Sequence, residues 1–286
     1  MDAAGSVREV LGLQVDEVVE RTGGQLSSVY EVRTSADPVI VKVYAPDWRW
    51  KQAKEVHVYA MLQPVVGDSI PRVLHVSDGV TMLSKIDGVP LSQAEPPDWR
   101  ALYAQLGALV RKVHQIAQPA YGYLIDRILE PLPDNDQYMR WQFTKKLREY
   151  DELGGAPALH REIARHVDRH AHLFADNPAA VLCHNDFHEG NILVDPDTWR
   201  VNGFIDVENA IAADPLIDLA KTIQYSVRDN REKRAGLLDG YGAVPEDRID
   251  LYRLYHSLEL WDWFASIGET THLDSIAQDL AKLVER

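Results

Sequence analysis

The first part of the chain alternates between apolar and polar residues, which is the period of a β-strand with one buried face. Three segments, VVERT, VYEVRT and VIVKVY, are rich in β-branched and aromatic residues, and the turns GGQLSS and ADP separate them. This spacing predicts an antiparallel meander of three strands between residues 17 and 44. Further strands are predicted at RVLHVS and GVTMLS, residues 72–77 and 79–84.

From Pro97 onward the apolar residues recur every three or four positions, as on the buried face of a helix. The clearest case carries five apolar residues on one face: Leu102, Leu106, Leu109, Val113 and Ile116. Helices are also predicted near residues 136–152 and 158–175, and earlier in the chain over residues 48–62. Residues 118–135 are rich in Pro and Asp and are predicted to form a loop.

A C-terminal helix is predicted over residues 251–268, with two stripes along it. The core stripe contains Leu251, Leu254, Leu258, Trp261 and Ala265. The opposite stripe contains Tyr252, His256, Glu259 and Trp263. The second stripe either lines a cleft or packs against a neighbouring element, and the pattern leaves both interpretations open.

Composition and charge narrow the class of protein. The 286 residues carry a formal net charge of -14, which disfavours nucleic acid or an anionic membrane as a partner and fits a cationic small substrate. The same excess of carboxylates would also serve solubility alone. The single cysteine, Cys183, lies in an apolar run and is predicted to be a buried, unreactive side chain. With no signal peptide or membrane-spanning segment in the sequence, we expect a cytoplasmic protein.

The candidate chemistry is concentrated in HNDFHEGNILVDPDTWRVNGFID, residues 184–206. Asp186 is suited to orienting an attacking hydroxyl and accepting its proton, and His184 to fixing the surrounding loop by hydrogen bonds. Asn191 and Asp206 are oxygen ligands of the kind that Mg²⁺ prefers. Downstream, Asp218 either accepts backbone amides of this loop or is an acidic residue in the first turn of a helix. The order of Asp186, Asn191 and Asp206 along the chain predicts phosphoryl transfer.

Lys42 interrupts the apolar strand VIVKVY, and Glu55 follows on the next predicted helix. A strand lysine followed by a helix glutamate is the pair with which kinase-like folds hold the α- and β-phosphates of a nucleotide. The alternative is an outward-facing lysine on a strand of period two. The turn at Gly23 and Gly24 would let backbone amides approach a phosphate.

Ser27 and Ser28 follow that turn as possible hydroxyl donors to phosphate. The sequence contains no GxxxxGK[ST] motif, so a P-loop is excluded as the nucleotide site. A second reading of the central stretch is a metal-dependent hydrolase, since His184, Asp186, His188 and Glu189 are close enough in sequence to suggest transition-metal ligands. That reading leaves Asn191 and Asp206 without a role.

Taken together, these segments resemble the aminoglycoside phosphotransferase family, relatives of choline kinases and of the eukaryotic protein kinases. HNDFHEGN resembles the family's HxDxxxxN loop, GFIDVENA its metal-binding IDxE segment, and ADPLIDLA its DPxxDLA segment. The resemblance implies an α+β, bilobal, protein-kinase-like fold. The small antiparallel-sheet N-lobe would span residues 1–86, and the larger, mostly helical C-lobe would span residues 87–286.

The family resemblance also implies roles for individual residues. Asp186 would be the catalytic base or orienter, Asn191 and Asp206 would bind Mg²⁺, and Lys42, steadied by Glu55, would contact the phosphates of ATP or GTP. The backbones of Ser84 and Ile86 would hold the nucleotide base. The enzyme is expected to be a monomer or weak dimer.

Substrate is a separate question, because the family's fold serves many acceptors. Family acceptors that carry ammonium groups would fit an acidic cleft, and the candidate residues for it are Glu189, Glu208, Glu259, Asp262 and Trp263, with Asp134, Asp136, Glu149 and Asp151 in the middle helices. We therefore expect an aminoglycoside or another basic antibiotic. A metabolic kinase of the choline, homoserine or sugar type is the alternative.

Overall fold

The computed structural model of the chain describes residues 2–21, 27–175 and 179–285. The chain divides into two compact units. The first, here called the sheet unit, comprises Met1–Pro97, Leu124–Arg127 and Glu189–Ala210, and the second, the helical unit, comprises Asp98–Tyr123, Ile128–His188 and Ile211–Arg286. The division into lobes at residue 86 stays a prediction.

The sheet unit contains a five-stranded antiparallel sheet in the order β1-β2-β3-β5-β4. Its strands are β1 (Val15–Arg21), β2 (Ser27–Thr34), β3 (Val39–Tyr44), β4 (Val73–Ser77) and β5 (Val80–Ser84). The predicted three-strand meander and both later strands are confirmed. The turn at Gly23 and Gly24 lies outside the described residues.

Two helices complete the sheet unit, α1 (Ala3–Leu11) and α2 (Arg49–Val66). The Asp2 side chain caps α1 by accepting the Gly5 amide at 3.0 Å, and Val7 packs into the core against the sheet. Helix α2, predicted from its apolar pattern, buries Val58 and Leu62 together with Glu55.

A small three-stranded sheet also belongs to the sheet unit, with β6 (Val89–Pro90), β10 (Ile192–Val194) and β11 (Val201–Phe204) in the order β11-β10-β6. In the hairpin of β10 and β11, Ile192 pairs with Phe204. Gly203 permits close packing of β11, because a Cβ there would lie 2.1 Å from the carbonyl oxygen of Ser69.

The helical unit is built from seven helices within the described residues: α3 (Trp99–Val113), α4 (Asn135–Glu152), α5 (Pro157–His170), α6 (Leu216–Thr222), α7 (Arg231–Tyr241), α8 (Glu246–Ser266) and α9 (Leu273–Val284). A π-helical turn, Ile223–Val227, extends α6. Helices α3 and α7 approach closely because glycines lie at their contact. A Cβ at Gly107 would be 2.2 Å from the Leu237 carbonyl oxygen, and one at Gly240 would be 2.0 Å from that of Ala104.

The prediction of a loop over residues 118–135 is wrong. This segment contains β7 (Tyr121–Leu124) and β8 (Ile128–Leu132), which join β9 (Val181–Cys183) and β12 (Ile211–Ala213) in a four-stranded sheet of order β8-β7-β12-β9. One of the two partners of β7, the strand β12, lies about ninety residues downstream, so the pairing of Tyr123 with Ile211 leaves no local signal in the sequence.

The C-terminal helix is confirmed as α8. Its core stripe is buried at Leu251, Leu254, Leu258 and Trp261. On the opposite stripe Tyr252 and His256 are also buried and pack against neighbouring elements, whereas Trp263 is 46% exposed. The stripe therefore changes from core to surface along its length. Among the described helices, none is both long and apolar enough to cross a membrane.

Candidate active site

Lys42 lies in the middle of β3, where it pairs with Val29 and Thr81 of the adjacent strands. Its side chain is 11% exposed, and its Nζ is 2.6 Å from Glu55 Oε1 and 3.6 Å from Asp206 Oδ1. Burial alone would lower the pKa of Lys42, but the charges of Glu55 and Asp206 outweigh it, and the pKa lies above its ordinary value. Lys42 is therefore an inward-facing ammonium, not a surface lysine.

Glu55 is fully buried on α2, and two side chains from β3 bind it. Lys42 pairs with Oε1, and the Tyr44 hydroxyl donates to Oε2. An unpaired buried carboxylate would cost several kcal/mol, so these two partners are what allow Glu55 to remain charged inside the sheet unit. The predicted pairing of Lys42 with Glu55 is present in the structure.

Asn191 and Asp206 stand just beyond the paired end of the β10–β11 hairpin. The Ile205 amide donates to the Asn191 carbonyl oxygen at 2.9 Å, which extends the pairing of Ile192 with Phe204 by one step. Asp206 then adopts a left-handed backbone conformation, with φ 64°, and begins the short 3₁₀ turn Val207–Asn209. The hairpin thus places an amide residue and a carboxylate residue side by side, and this oxygen donor set fits Mg²⁺.

Glu208, proposed as a substrate residue, forms an ion pair with Lys51 of α2. The Lys51 Nζ lies 2.8 Å from Glu208 Oε1 and 5.7 and 5.6 Å from the ring centroids of Trp48 and Trp50. The Glu208 carboxylate therefore already has a cationic partner within the sheet unit. Its bond connects the turn after Asp206 to the helix that carries Glu55.

The remaining nucleotide candidates lie at the ends of strands. Ser27 and Ser28 are the first residues of β2, with Ser28 exposed. Ser84 ends β5, where its amide donates to the Arg72 carbonyl oxygen and its hydroxyl accepts the Arg72 amide, both at 2.9 Å. Any contribution of Ser84 to base binding therefore falls to its carbonyl oxygen. Ile86 lies between β5 and β6, outside regular secondary structure.

In the helical unit, the loop that carries Asp186 follows β9. His184 is buried, and its Nδ1 accepts the Asp186 amide at 3.2 Å. This bond makes His184 a residue that shapes the loop, as expected from the sequence. Cys183, one residue earlier, is buried as predicted, and burial raises the pKa of its thiol well above the ordinary value.

Asp218 on α6 accepts two amides of the same loop, from His184 at 2.7 Å and from Asn185 at 2.6 Å. Of the two readings of Asp218, the structure shows the loop-binding one. His114, at the end of α3, lies 3.1 Å from Asp218 through Nε2 and 2.9 Å from the Tyr241 hydroxyl through Nδ1.

The Asp186 carboxylate is partly exposed, and the His188 Nε2 lies 3.7 Å from its Oδ1. Among the residues that the structure describes, one group of His, Cys, Asp and Glu donors is close enough to share a metal ion, and it consists of His114, Cys183 and Asp218. His188 is not in that group. The donor geometry that the hydrolase hypothesis requires is therefore not formed in the helical unit.

Glu259 on α8 lies in a buried cluster with basic partners. Lys221 Nζ is 3.3 Å and His256 Nδ1 is 3.1 Å from Glu259 Oε2. Burial alone would raise the pKa of Glu259, but the Lys221 charge and the His256 hydrogen bond outweigh it and hold the pKa below its ordinary value. The Lys221 Nζ also lies over the Tyr225 ring, 5.5 Å from its centroid. Burial alone would lower the pKa of Lys221, but the negative charge of Glu259 and, to a lesser extent, that of Asp186 contribute to raising it.

Asp262, one turn further along α8, is 3% exposed, and among the described residues neither carboxylate oxygen has a hydrogen-bond partner. The Lys146 ammonium is 3.8 Å away and bonds Glu149 more closely, at 2.6 Å. Burial raises the pKa of Asp262 to about 7, and Glu149 and Glu259 add to the rise while Lys146 opposes it.

The other acidic candidates have local roles on α4. The Asp134 carboxylate caps the helix by accepting the Gln137 amide at 2.8 Å, and Asp136 pairs with Arg140 at 2.8 Å. Asp151 is exposed near the end of that helix, and Glu189 lies in a 3₁₀ turn of the sheet unit. The described contacts therefore do not bring all the acidic candidates into one cluster.

The sequence profile of the phosphotransferase enzyme family matches residues 17–261. The chain belongs to this family. It is a small-molecule kinase. The family assignment agrees with the buried Lys42–Glu55 pair and with the oxygen donors at the end of the hairpin, and it favours the kinase interpretation of the central stretch over a hydrolase.

Three proteins are similar to this phosphotransferase in sequence or in fold. Streptomycin 3''-kinase of Streptomyces griseus is 29% identical over 211 residues, which is 68% of this chain and 74% of the relative. A thermostable mutant of aminoglycoside phosphotransferase APH(4)-Ia, in complex with AMP-PNP and hygromycin B, aligns with a TM-score of 0.76 at 15% identity, over 100% of this chain and 98% of that chain. Choline kinase from Streptococcus pneumoniae aligns with a TM-score of 0.69 at 17% identity, over 98% and 96%.

The structural matches confirm the predicted α+β, protein-kinase-like fold of this phosphotransferase. Three residues that contact the candidate residues or their loop were missed from the sequence: Lys51, Lys221 and Thr222. All seven residues of α6 are buried, so a charged residue within LIDLAKT requires a partner, and that rule was the available signal for Lys221. No comparable signal marks Lys51 or Thr222.

Proposed function

We propose that this phosphotransferase moves the γ-phosphate of ATP or GTP to a hydroxyl group of a small cationic molecule, with Mg²⁺ as the metal. The favoured acceptor is an aminoglycoside or another basic antibiotic. The observation that carries the reaction is the Lys42 ammonium, buried between Glu55 and Asp206 on a chain that belongs to a phosphotransferase family.

The nucleotide would bind through the sheet unit. The Lys42 ammonium would contact the α- and β-phosphates, and Glu55 would keep it aimed in one direction. The Ser84 carbonyl oxygen and the Ile86 amide would hold the base, in keeping with the use of the Ser84 amide by Arg72. Ser27 and Ser28 would approach the phosphates from the first residues of β2.

Asn191 and Asp206 would hold Mg²⁺. When bound there, the ion supplies positive charge to the phosphate oxygens. Asp206 contributes the anionic ligand, and Asn191 completes the set without adding a second negative charge. Lys42 lies 3.6 Å from Asp206, so the same carboxylate would face both the lysine and the ion.

Asp186 would orient the acceptor hydroxyl and take its proton. In the transfer, a bond forms between the hydroxyl oxygen and the γ-phosphorus, the bond from that phosphorus to the bridging β-γ oxygen breaks, and the proton passes to the Asp186 carboxylate. The bond between His184 and the Asp186 amide would keep the carboxylate in place during the step.

The proposal of a cationic acceptor rests on the negative charge of the protein. The net charge of -14 favours a cationic molecule, and streptomycin 3''-kinase, 29% identical, is named for an aminoglycoside. Of the candidate residues, Glu208 and Glu259 already have cationic partners, so an acceptor ammonium would compete with Lys51 or Lys221 for them. Trp263 offers an exposed ring, and Glu189 and Asp262 complete the proposed set. A resistance role in the cytoplasm follows from this choice of acceptor.

A panel assay tests the proposal. Purified enzyme with Mg²⁺ and ATP or GTP is incubated with aminoglycosides, basic peptide antibiotics, choline, homoserine and sugars, and nucleotide consumption and product mass are measured. The expected result is phosphorylation of at least one aminoglycoside or basic peptide. Turnover restricted to choline, homoserine or a sugar would overturn the antibiotic assignment in favour of a metabolic kinase, and no transfer to any acceptor would overturn the proposed reaction.

A further inference from the structure

Side chains from outside the Asp186 loop determine the path of its backbone. The Asp218 carboxylate accepts the His184 and Asn185 amides at 2.7 and 2.6 Å. On the far side of Asp186, the Thr222 hydroxyl donates to the Phe187 carbonyl oxygen at 2.7 Å. Both Asp218 and Thr222 belong to α6, one turn apart, so this helix binds the loop on either side of Asp186.

The loop needs such support because Asn185 has a left-handed backbone conformation, with φ 57°. For a residue other than glycine this conformation costs on the order of 1 kcal/mol, and it persists where surrounding contacts enforce it. The two bonds to Asp218 and the bond from the Asp186 amide to His184 supply that enforcement. If any of them relaxes, the carboxylate of Asp186 moves with the backbone.

Asp218 is itself positioned by a hydrogen bond with His114. Burial alone would raise the pKa of Asp218, but the hydrogen bond and charge of His114 and the loop amide outweigh it, so the pKa lies below its ordinary value and the carboxylate is an acceptor. His114 Nε2 therefore donates to Asp218, at 3.1 Å, and the opposite ring nitrogen lies 2.9 Å from the Tyr241 hydroxyl. Tyr241 is the last residue of α7, so that helix fixes the imidazole ring.

We propose that Thr222 and Tyr241 are positioning residues for phosphoryl transfer, Thr222 by binding the Phe187 carbonyl directly and Tyr241 by holding His114 against Asp218. This inference rests on the proposed role of Asp186. Neither residue touches the reacting atoms. Their contribution is to keep the backbone of residues 184–187 in the one conformation that presents the Asp186 carboxylate.

The variants separate this role from general packing. Thr222→Val keeps the side-chain shape and removes the hydroxyl, which leaves the Phe187 carbonyl without that donor. Thr222→Ser keeps the hydroxyl and loses the methyl group. Tyr241→Phe removes the hydroxyl that bonds His114 Nδ1 while keeping the ring that packs edge-on against the imidazole. A misplacement of about 1 Å can reduce turnover by roughly a hundredfold, so we expect kcat to fall by about tenfold or more in Thr222→Val and Tyr241→Phe.

Two matched controls remove buried hydroxyls away from the loop. Ser257, on α8, is buried, and its Oγ has no hydrogen-bond partner among the described residues. The Tyr150 hydroxyl accepts the Ala156 amide at 3.2 Å. Ser257→Ala and Tyr150→Phe should therefore leave kcat within about twofold, since among the described residues neither hydroxyl is hydrogen-bonded to the loop or to α6.

The experiment combines kinetics with amide hydrogen exchange on the full-length enzyme. For each variant, kcat and KM for ATP are measured with an acceptor identified in the panel, and exchange is measured in the peptide containing residues 184–188. The expected result for Thr222→Val and Tyr241→Phe is lower kcat, KM for ATP within about twofold, and faster exchange in that peptide, with Thr222→Ser close to the unmodified enzyme. Thermal unfolding confirms that each variant is folded.

Three outcomes would overturn or separate the claims. Unchanged exchange and unchanged kcat in both Thr222→Val and Tyr241→Phe would overturn the positioning role, as would equal loss in Ser257→Ala and Tyr150→Phe. An Asp186→Asn variant is measured in parallel. If it keeps full kcat, the proposed role of Asp186 fails, whereas the exchange data still decide whether Thr222 and Tyr241 hold the loop.

Discussion

The Lys42 ammonium lies 2.6 Å from Glu55 Oε1, and the glutamate is fully buried. The pair joins the central strand β3 to helix α2, so a charge that strand alternation alone would assign to the surface belongs to the interior of the sheet unit. A buried charge pair adds little net stability to a fold, because the cost of desolvating both charges offsets most of their attraction. Its presence here fits a requirement for a fixed cation at a phosphate site.

The variant Lys42→Met, compared with a double variant, should separate the role of Lys42 in ATP binding from its role in folding stability. Without its ammonium, kcat/KM for ATP should fall by about a hundredfold or more, and the uncompensated Glu55 should reduce the free energy of unfolding by about 3–5 kcal/mol. The double variant Lys42→Met/Glu55→Gln should recover part of the stability and none of the activity. Urea unfolding and steady-state kinetics measure both.

The control for this pair is Glu17→Gln. Glu17 pairs with Arg33 at 2.5 Å on the same sheet, and both side chains are more than half exposed. Loss of the Glu17 charge should cost less than about 1 kcal/mol and leave kinetics unchanged. If Lys42→Met binds ATP as tightly as the unmodified enzyme does, Lys42 is not the phosphate ligand.

Asp206→Asn tests the metal site. Replacing an anionic ligand by a neutral amide should weaken Mg²⁺ binding by at least about tenfold, and raising the Mg²⁺ concentration should restore part of the lost activity. Asp197→Asn is the matched change, since Asp197 is exposed in the turn of the same hairpin. A loss of activity in Asp206→Asn that no Mg²⁺ concentration improves, with nucleotide binding unchanged, would argue against Asp206 as a ligand.

Glu259→Gln distinguishes a structural from a substrate-binding carboxylate. Because Lys221 and His256 both bind Glu259, the variant should lose about 1–3 kcal/mol in the free energy of unfolding. A carboxylate used by the acceptor would also raise KM for the acceptor and leave KM for ATP unchanged. Loss of neither stability nor acceptor affinity would show that the cluster is dispensable.

Asp262 gives the stability a specific dependence on pH. Its pKa is raised to about 7 in the folded protein, above the unfolded value, so the folded state holds a proton that the unfolded state releases. The free energy of unfolding should therefore decrease as the pH rises from about 4 to about 7 and then level off. Lys146, 3.8 Å away, limits the decrease.

Asp262→Asn removes this dependence. The variant should match the unmodified enzyme near pH 4 and be more stable at pH 8 by about 1–3 kcal/mol, after allowance for solvent screening. Asp279→Asn, on the exposed side of α9 where the side chain is 49% exposed, should show no such difference between the two pH values. Parallel stability curves for Asp262→Asn and the unmodified enzyme would contradict the assignment.

The parts of the fold that the sequence predicted well are those with a local pattern. Alternation and short apolar runs identified β1 to β5, and the helical pattern identified α2, α3, α4, α5 and α8. The strands of residues 118–135 were missed because β7 pairs with β12, far along the chain, and because short strands rich in Pro and Asp resemble a loop. The helices α1, α7 and α9 were not predicted.

The candidate site residues also divide into those with a local sequence signal and those without one. Asp186, Asn191 and Asp206 were proposed as site residues from their order along residues 184–206. The β10–β11 hairpin explains why Asn191 and Asp206 lie together at its end, whereas Asp186 lies in the preceding loop. Partners contributed by distant elements were not identifiable. Lys51, which binds Glu208, and Thr222, which binds the Phe187 carbonyl, carry no motif, and only the folded chain brings them to their partners.

The most direct test of the account is γ-phosphate transfer by Asp186→Asn, with the acceptor from the panel and with nucleotide binding measured on the same sample. The variant keeps the shape of the side chain and loses the proton-accepting carboxylate. We predict that kcat falls by at least about a hundredfold while the dissociation constant for ATP stays within about threefold of the original value. Transfer at the original rate by Asp186→Asn would contradict the central claim.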